Sequence, residues 1–106
     1  MLTGKQKHHL RALGHKLKSL IQIGKKDIDD ALIAEANAAL DHHELIKVRI
    51  LESCLLDKQA ASGMLAEACA AEVAQILGKT FLLYRPAKKP VIIFPQSENP
   101  VKSKPK

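Results

Sequence analysis

Between Ser19 and Leu51 the chain changes its hydrophobic period twice, and this restricts what it can fold into. Leu20 to Ile23 is a short aliphatic run, β-branched at two positions and bounded by Ser19 and Gly24, which predicts a first strand. From Ile28 to about Asp41 the apolar residues Ile28, Leu32, Ala36 and Leu40 recur at intervals of four, with Ala39 beside the last. They mark one face of a helix that Asp27 or Asp29 can cap and whose dipole suits Asp30 in the first turn. Leu45 to Leu51 then alternates, with Ile46, Val48 and Ile50 on one side and Lys47 and Arg49 on the other, as a half-buried strand does. Strand, helix and strand at this spacing imply a right-handed crossover and a parallel strand pair.

The flanking segments fill in the rest. Thr3 and Gln6 form a capping-box pair, Leu10, Leu13 and Leu17 recur at helical spacing and Gly14 supplies a stop, so a first helix covers about residues 4–13. Its outward face would carry Lys5, Lys7, His8 and Arg11. After Asp57, a cap, Gln59 to Leu77 is alanine-rich and places Leu65, Ala68, Cys69, Val73 and Ile76 on one stripe; Gly63 weakens its early part and Gly78 ends it. Thr80 to Tyr84 reads as the third strand, Pro86 to Pro90 as a turn and Val91 to Phe94 as a fourth strand in a hairpin with the third. The predicted order is α-β-α-β-α-β-β, an α/β (α+β-like) sandwich with a small four-stranded mixed sheet. One domain is expected over residues 1–94, followed by a basic, Pro-, Ser- and Lys-rich tail, 95–106, with nothing to bury and expected to be disordered.

Charge is divided along the chain. Residues 1–26 hold seven Lys or Arg and no acid, residues 27–78 hold three against ten Asp or Glu, and residues 79–106 hold seven against one. If folding brings the two basic ends together, one face becomes basic and is backed by an acidic one, which suits a polyanion. No apolar run approaches the roughly 18 residues of a membrane span, and the N-terminus lacks the apolar core of a signal peptide, so no membrane association and a cytoplasmic location are expected. Cys54 and Cys69 read as reduced, buried and structural.

Catalytic chemistry finds little support. Gly78-Lys79-Thr80 has the ending of a phosphate loop, but Val73 stands where that motif needs its first glycine and the strand follows the motif rather than preceding it. His8-His9, His15 and His42-His43 have no cysteine partners at ligand spacing, and adjacent histidines point in different directions. No nucleophile and base can be paired, and the acids from Asp27 to Asp30 read as helix-start residues. The expectation is a monomeric, non-enzymatic protein with no cofactor, metal or small-molecule substrate.

The polyanion has a natural landing place at the end of the first strand. A strand ending in glycine and opening a helix can aim backbone N–H groups at an anion, and Lys25 and Lys26 add two full charges. Ligands of such sheets bind outside the carboxyl ends of the strands. The beginning of the first helix, with Lys5 and Lys7, is expected to return toward that edge. If the strand at Thr80 ran parallel to the first, Arg85, Lys88 and Lys89 would join it and Lys79 and Thr80 would lie at the opposite edge. Lys47 and Arg49 would extend the surface if the outer face of their strand were uncovered. With only Phe81, Tyr84 and Phe94 as aromatics, two of them expected in the core, binding would rest on phosphates and the shape of folded RNA rather than stacked bases.

Four blocks carry a resemblance: Leu2-Thr-x-Lys5-Gln6-Lys7, the strand ending at Gly24, His42-His43-Glu44-Leu45-Ile46-Lys47-Val48, and Gly78-Lys79-Thr80-Phe-Leu-Leu-Tyr84-Arg85-Pro86. In this order they resemble, over about residues 2–94, the bacterial single-domain CRM family, the YhbY-type RNA-binding proteins. The resemblance implies a fold similar to the C-terminal domain of translation initiation factor three, association with ribosomal RNA of large-subunit precursors, and a role in ribosome assembly. With the loop and the charge pattern, RNA contacts are expected at Gly24, Lys25, Lys26, Lys5, Lys7, Arg11, Lys18, Lys79, Thr80, Arg85, Lys88 and Lys89. The family loop is Gly-x-x-Gly, whereas this chain has Gly24-Lys25-Lys26-Asp27. Asp27 brings a carboxylate that repels phosphate, so the expected grip shifts from backbone amides to the two lysine side chains. The rival reading is a protein-interaction adaptor that uses the acidic middle segment.

Overall fold

The computed structural model describes residues 2–25, 28–86 and 92. Its elements are α1 (Gly4–Gly14), β1 (Ser19–Ile23), α2 (Asp30–His43), β2 (Leu45–Ile50), α3 (Lys58–Cys69), β3 (Glu72–Leu77) and β4 (Thr80–Tyr84). The strands form one mixed sheet in the order β1-β2-β4-β3, with β1 parallel to β2 and with β4 antiparallel to both β2 and its hairpin partner β3. The element order and the four-stranded mixed sheet are those the sequence predicts. Thr80–Tyr84 is the strand predicted there, but its hairpin partner precedes it at Glu72–Leu77 instead of following it.

Each helix starts where its side chains stop the strand-like backbone. Thr3 Oγ1 accepts from the Gln6 amide at 3.1 Å and Gln6 Oε1 accepts from the Thr3 amide at 2.9 Å, a complete capping box. Asp29 Oδ1 accepts from the Leu32 amide at 2.8 Å, so α2 begins at Asp30 rather than at Ile28. Ile28 and Ile33 then occupy the two positions of a hydrophobic staple and pack against the same core. Asp57 Oδ1 caps α3 through the Ala60 amide at 2.7 Å.

The predicted helix over Gln59–Leu77 is two elements. It stops at Cys69, where Ala70 adopts a left-handed conformation (φ 53°) and its amide bonds back to Ala66 and Glu67. Residues 72–77 turn back as β3. The register shift between Val73 and Gln75 explains why the strand reads as helix: the extra residue puts Val73 and Ile76, three apart, against the same core. Gly78 (φ +59°) forms the tight β3–β4 turn instead of ending a helix. The predicted turn at Pro86–Pro90 and the strand at Val91–Phe94 fall almost wholly outside the described residues, as does the tail 95–106; Ile92 itself is in no strand.

The sheet carries a hydrophobic core on each face. Ile21, Ile23, Ile46, Val48, Ile50, Phe81 and Leu83 face α2 and α3 and join Leu32, Ala36, Leu40, Ala61 and Leu65 in the larger core. On the other face Leu10 of α1 closes over Leu45, Ala74, Leu82 and Tyr84 in a second, smaller core. Cys69 is buried and Cys54 half-buried, and the two form no disulfide with each other. Burial pushes the Cys69 thiol up, with the Arg85 charge opposing, so it stays protonated at neutral pH.

Gly14 lets α1 lie this close to the sheet. A Cβ at this position would stand 2.5 Å from Leu82 Cδ1, and Leu82 is itself only 3% exposed. Gly14 is therefore a close-packing residue at the last turn as well as the stop the sequence suggests. Gly14→Ala is expected to lower stability by about 1 to 3 kcal/mol, the usual cost of overpacking a filled core, as read from urea unfolding. An unchanged midpoint would mean that α1 can move away from Leu82 freely.

Candidate nucleic-acid interface

Three turns meet at one edge of the sheet. The Leu51 amide donates to Ile23 O at 2.9 Å, tying the turn after β2 to the end of β1 beside Gly24. The Ile50 amide donates to Lys79 O at 2.7 Å, and Thr80 pairs with Arg49, which brings the β3–β4 turn to the same place. Because β4 runs antiparallel to β2, Lys79 and Thr80 share the edge of Gly24 and Lys25, reversing the placement expected for a parallel strand. A side chain at Gly24 would make only ordinary contacts, 3.4 Å to Ser53 Oγ and 3.5 Å to Leu51 Cδ1, so packing does not demand glycine there. Lys25 is exposed; Lys26 and Asp27 lie outside the described residues. Lys79 Nζ is 3.6 Å from Glu52 Oε2, but both side chains are mostly in solvent, so the pair holds the ammonium only weakly. Gly78-Lys79-Thr80 links two strands, and Thr80 Oγ1 donates to Leu77 O at 2.9 Å.

The same strand direction carries Arg85 to the opposite edge, where its charge is already used. Its Nη1 donates to Asn37 Oδ1 and to Cys69 O, each at 2.7 Å, and its Nη2 donates to Asp41 Oδ1 at 2.8 Å and Asn37 O at 3.2 Å. With its side chain 22% exposed, Arg85 ties α2 to the end of α3 rather than facing the basic surface. Lys5 and Lys7 also stand away from Gly24. The Leu2 amide donates to Glu72 Oε1 at 3.1 Å, and Glu72 pairs with Tyr84 at the far end of the sheet, so α1 begins there. Burial, and then the carboxylates of Glu44 and Glu72, push the Tyr84 hydroxyl up. Lys88 and Lys89 lie outside the described residues.

Between these ends lies a part of the sheet that α1 does not cover. β2 presents Leu45, Lys47 and Arg49 to the α1 side; Leu45 is buried, Lys47 half-buried and Arg49 exposed. Strand register places Gln22, Arg49, Thr80 and Leu77 in one row across all four strands, three interstrand steps of about 4.8 Å each. His15, Lys16 and Lys18, all exposed, follow α1 along the margin of this area, and Arg11 is half-buried near the end of the helix. The sequence made Lys47 and Arg49 conditional on this exposure, and the short reach of α1 supplies it.

The opposite face has the other sign. α2 carries Asp30, Glu35 and Asp41 and no Lys or Arg, and it packs against the sheet from the side away from α1. Its first free amides are partly taken by Asp29, which reduces the room for an anion at that helix start. Among the described residues no three His, Cys, Asp or Glu side chains are grouped to hold a metal ion, and no helix is long and apolar enough to cross a membrane. What the basic side offers is a broad, shallow array of cations and hydrogen-bonding groups.

Residues 2–85 match the family model described as the CRS1 / YhbY (CRM) domain. The chain is 38% identical over 89 residues to the Bacillus subtilis protein named Probable RNA-binding protein YqeI, covering 84% of this chain and 93% of that one. It is 33% identical over 95 residues to a Haemophilus influenzae protein named RNA-binding protein, covering 90% and 96%. The solution structure of the hypothetical protein SAV1595 from Staphylococcus aureus superposes with a TM-score of 0.76 at 38% identity, covering 90% of this chain and all of that one.

The Arg85 contacts make a prediction about stability. Arg85→Met keeps the aliphatic stem but leaves the Cys69 and Asn37 carbonyls without their charged donor, and is expected to cost about 2 kcal/mol in urea unfolding. A loss below about 0.5 kcal/mol would show that the guanidinium is not a structural tie.

Proposed function

The chain belongs to the CRS1 / YhbY (CRM) domain family, and from that premise we propose that it binds RNA, specifically ribosomal RNA of the large-subunit precursor during ribosome assembly. The observation that carries the reading is the separation of charge across the sheet. α1 and the link to β1 bring Lys5, Lys7, Arg11, Lys16 and Lys18 with no acid, and the uncovered strands add Lys47 and Arg49 on the same side. A polyanion meets this side favourably and is repelled by the α2 side.

We assign the RNA contacts to two zones. The edge zone comprises Gly24, Lys25, Lys79 and Thr80, with Lys26 next in sequence; the flat zone comprises Arg11, Lys18, Lys47 and Arg49, with Lys5 and Lys7 on the outer side of α1. Arg85 is left out, because its hydrogen bonds to Asn37, Asp41 and Cys69 O would have to break first. Phe81 and Tyr84 are buried, so no exposed platform of large aromatic rings is available among the described residues. Affinity therefore rests on phosphates and on the shape of a folded RNA.

Each phosphate contact contributes about −0.7 to −0.9 to the slope of log affinity against log salt. Lys25→Ala and Arg49→Ala, one from each zone, are each expected to weaken binding of a large-subunit rRNA fragment and to reduce the slope by about one such unit. Both side chains are exposed, so the fold should be unaffected. Affinity that is independent of salt, or that is lost only when the acids of α2 are changed, would overturn the reading and favour a protein partner. Co-sedimentation of the tagged protein with large-subunit precursors in cell lysates tests the ribosomal assignment separately.

A further inference from the structure

Beside the flat zone the structure contains an apolar groove of about 410 Å³ that the charge argument does not use. It lies on the α1 side of the sheet, over the starts of β1 and β2. Leu13, Leu17, Leu20, Leu45 and Ile92 form its surface, and Leu20 is 48% exposed, unusually open for a leucine within a strand. Three lysines, Lys16, Lys18 and Lys47, stand around it, and among the described residues no acid lines it. His43, the last residue of α2, adds an exposed imidazole ring at the margin.

We propose that this groove receives one unpaired base of the bound RNA, with His43 stacking on the base and Lys16, Lys18 and Lys47 holding the flanking phosphates. The inference rests on the RNA-binding reading and adds to it a preference for a bulged or looped-out nucleotide. An apolar slot with a cationic margin fits a nucleotide, which has a flat base of low charge joined to an anionic backbone. The volume lies in the range of sites that enclose small ligands, roughly 300 to 1,000 Å³. Histidine is among the rings on which unstacked RNA bases pack, and among the described residues His43 is the ring that borders this groove. The far wall is fixed: the Ile92 amide donates at 2.7 Å to Glu44 Oε1, and Glu44 is fully buried. An acidic amphipathic peptide would also find cations around an apolar floor. The continuity of Lys47 with Arg49 along β2, on the surface assigned to RNA, favours the nucleotide.

The test compares two RNA stem-loops with the same stem, one fully paired and one with a single bulged uridine, in fluorescence anisotropy at one salt concentration. The bulged stem is expected to bind about tenfold more tightly, within what stacking one base contributes. It should also shift the methyl resonances of Leu13, Leu17 and Leu20, which the paired stem leaves in place. His43→Ala with Leu20→Gln, both at exposed positions, should abolish the tenfold preference while leaving affinity for the paired stem nearly unchanged. Equal affinities for the two stems, or a preference that survives the double substitution, would overturn the proposal and leave RNA binding intact. Failure of both stems to bind would count against the RNA reading itself. Methyl shifts produced by an acidic amphipathic peptide and not by the bulged stem would make the groove a protein site and overturn the proposal.

Discussion

The constraint on which the molecule depends is that one sheet must be buried on two faces with unequal cover. β2 and β4 occupy the middle and send alternate side chains to opposite cores: Ile46, Val48, Phe81 and Leu83 toward α2 and α3, Leu45, Leu82 and Tyr84 toward α1. Two helices suffice for the first face. On the second, α1 has 11 residues, about 16 Å of helix, and lies against a sheet of four strands. It cannot cover the whole area, so the sequence of β2 changes along that face from Leu45 to Lys47 to Arg49. The pattern of the strand records where the helix stops. The basic surface is thus a direct consequence of the packing, because the side chains freed from burial are the ones that meet solvent.

The charges outside this area follow the same division. α2 and α3 use their inner faces for the larger core, and the outer face of α2 carries acids. Arg85 shows how a cation on the basic end of the sequence can still belong to the acidic side of the fold. It leaves β4 at the edge where α2 and α3 converge and is absorbed by a carboxylate, an amide and two carbonyls. Counting lysines and arginines along the chain cannot distinguish such a residue from Lys79, whose exposed partner Glu52 holds it only weakly.

How much of this was legible in the sequence differs by kind of signal. The crossover from β1 through α2 to β2 was plain, since both periods are clean and Asp29, one of the two caps the sequence offers, starts the helix two residues after Ile28. The division of residues 59–77 was hidden because a bulge gives β3 the three-residue spacing of a helix, and because the break falls at Ala70, an alanine in a conformation where glycine is usual. Direction was the harder matter. Nothing local to Thr80–Tyr84 says whether the strand runs up or down; the short Gly78 turn decides it, and only once β3 is recognised as a strand. That one choice moved Lys79 and Thr80 to the Gly24 edge and Arg85 away from it. The groove could not be read at all, since Leu13, Leu17 and Leu20 look like core positions and only the reach of α1 leaves them partly uncovered beside the buried Leu45.

Glu44 connects these features. Its φ of 61° is costly for a residue with a side chain, and a glycine would relieve it. A glycine would have no carboxylate, and this carboxylate accepts from the Ile92 amide while the Glu44 carbonyl accepts from the Arg85 amide at 2.9 Å. The Glu44 amide in turn closes α2 onto Leu40 O at 2.9 Å. One buried residue thereby joins the end of α2, the exit of β4 and a wall of the apolar groove, and it fixes the backbone next to His43. The strain is stored where the acidic and basic sides of the protein meet. The α2 terminus bearing His43 and the exit of β4 are thus tied by the Glu44 backbone, and the groove wall at Ile92 by its carboxylate, all through one residue.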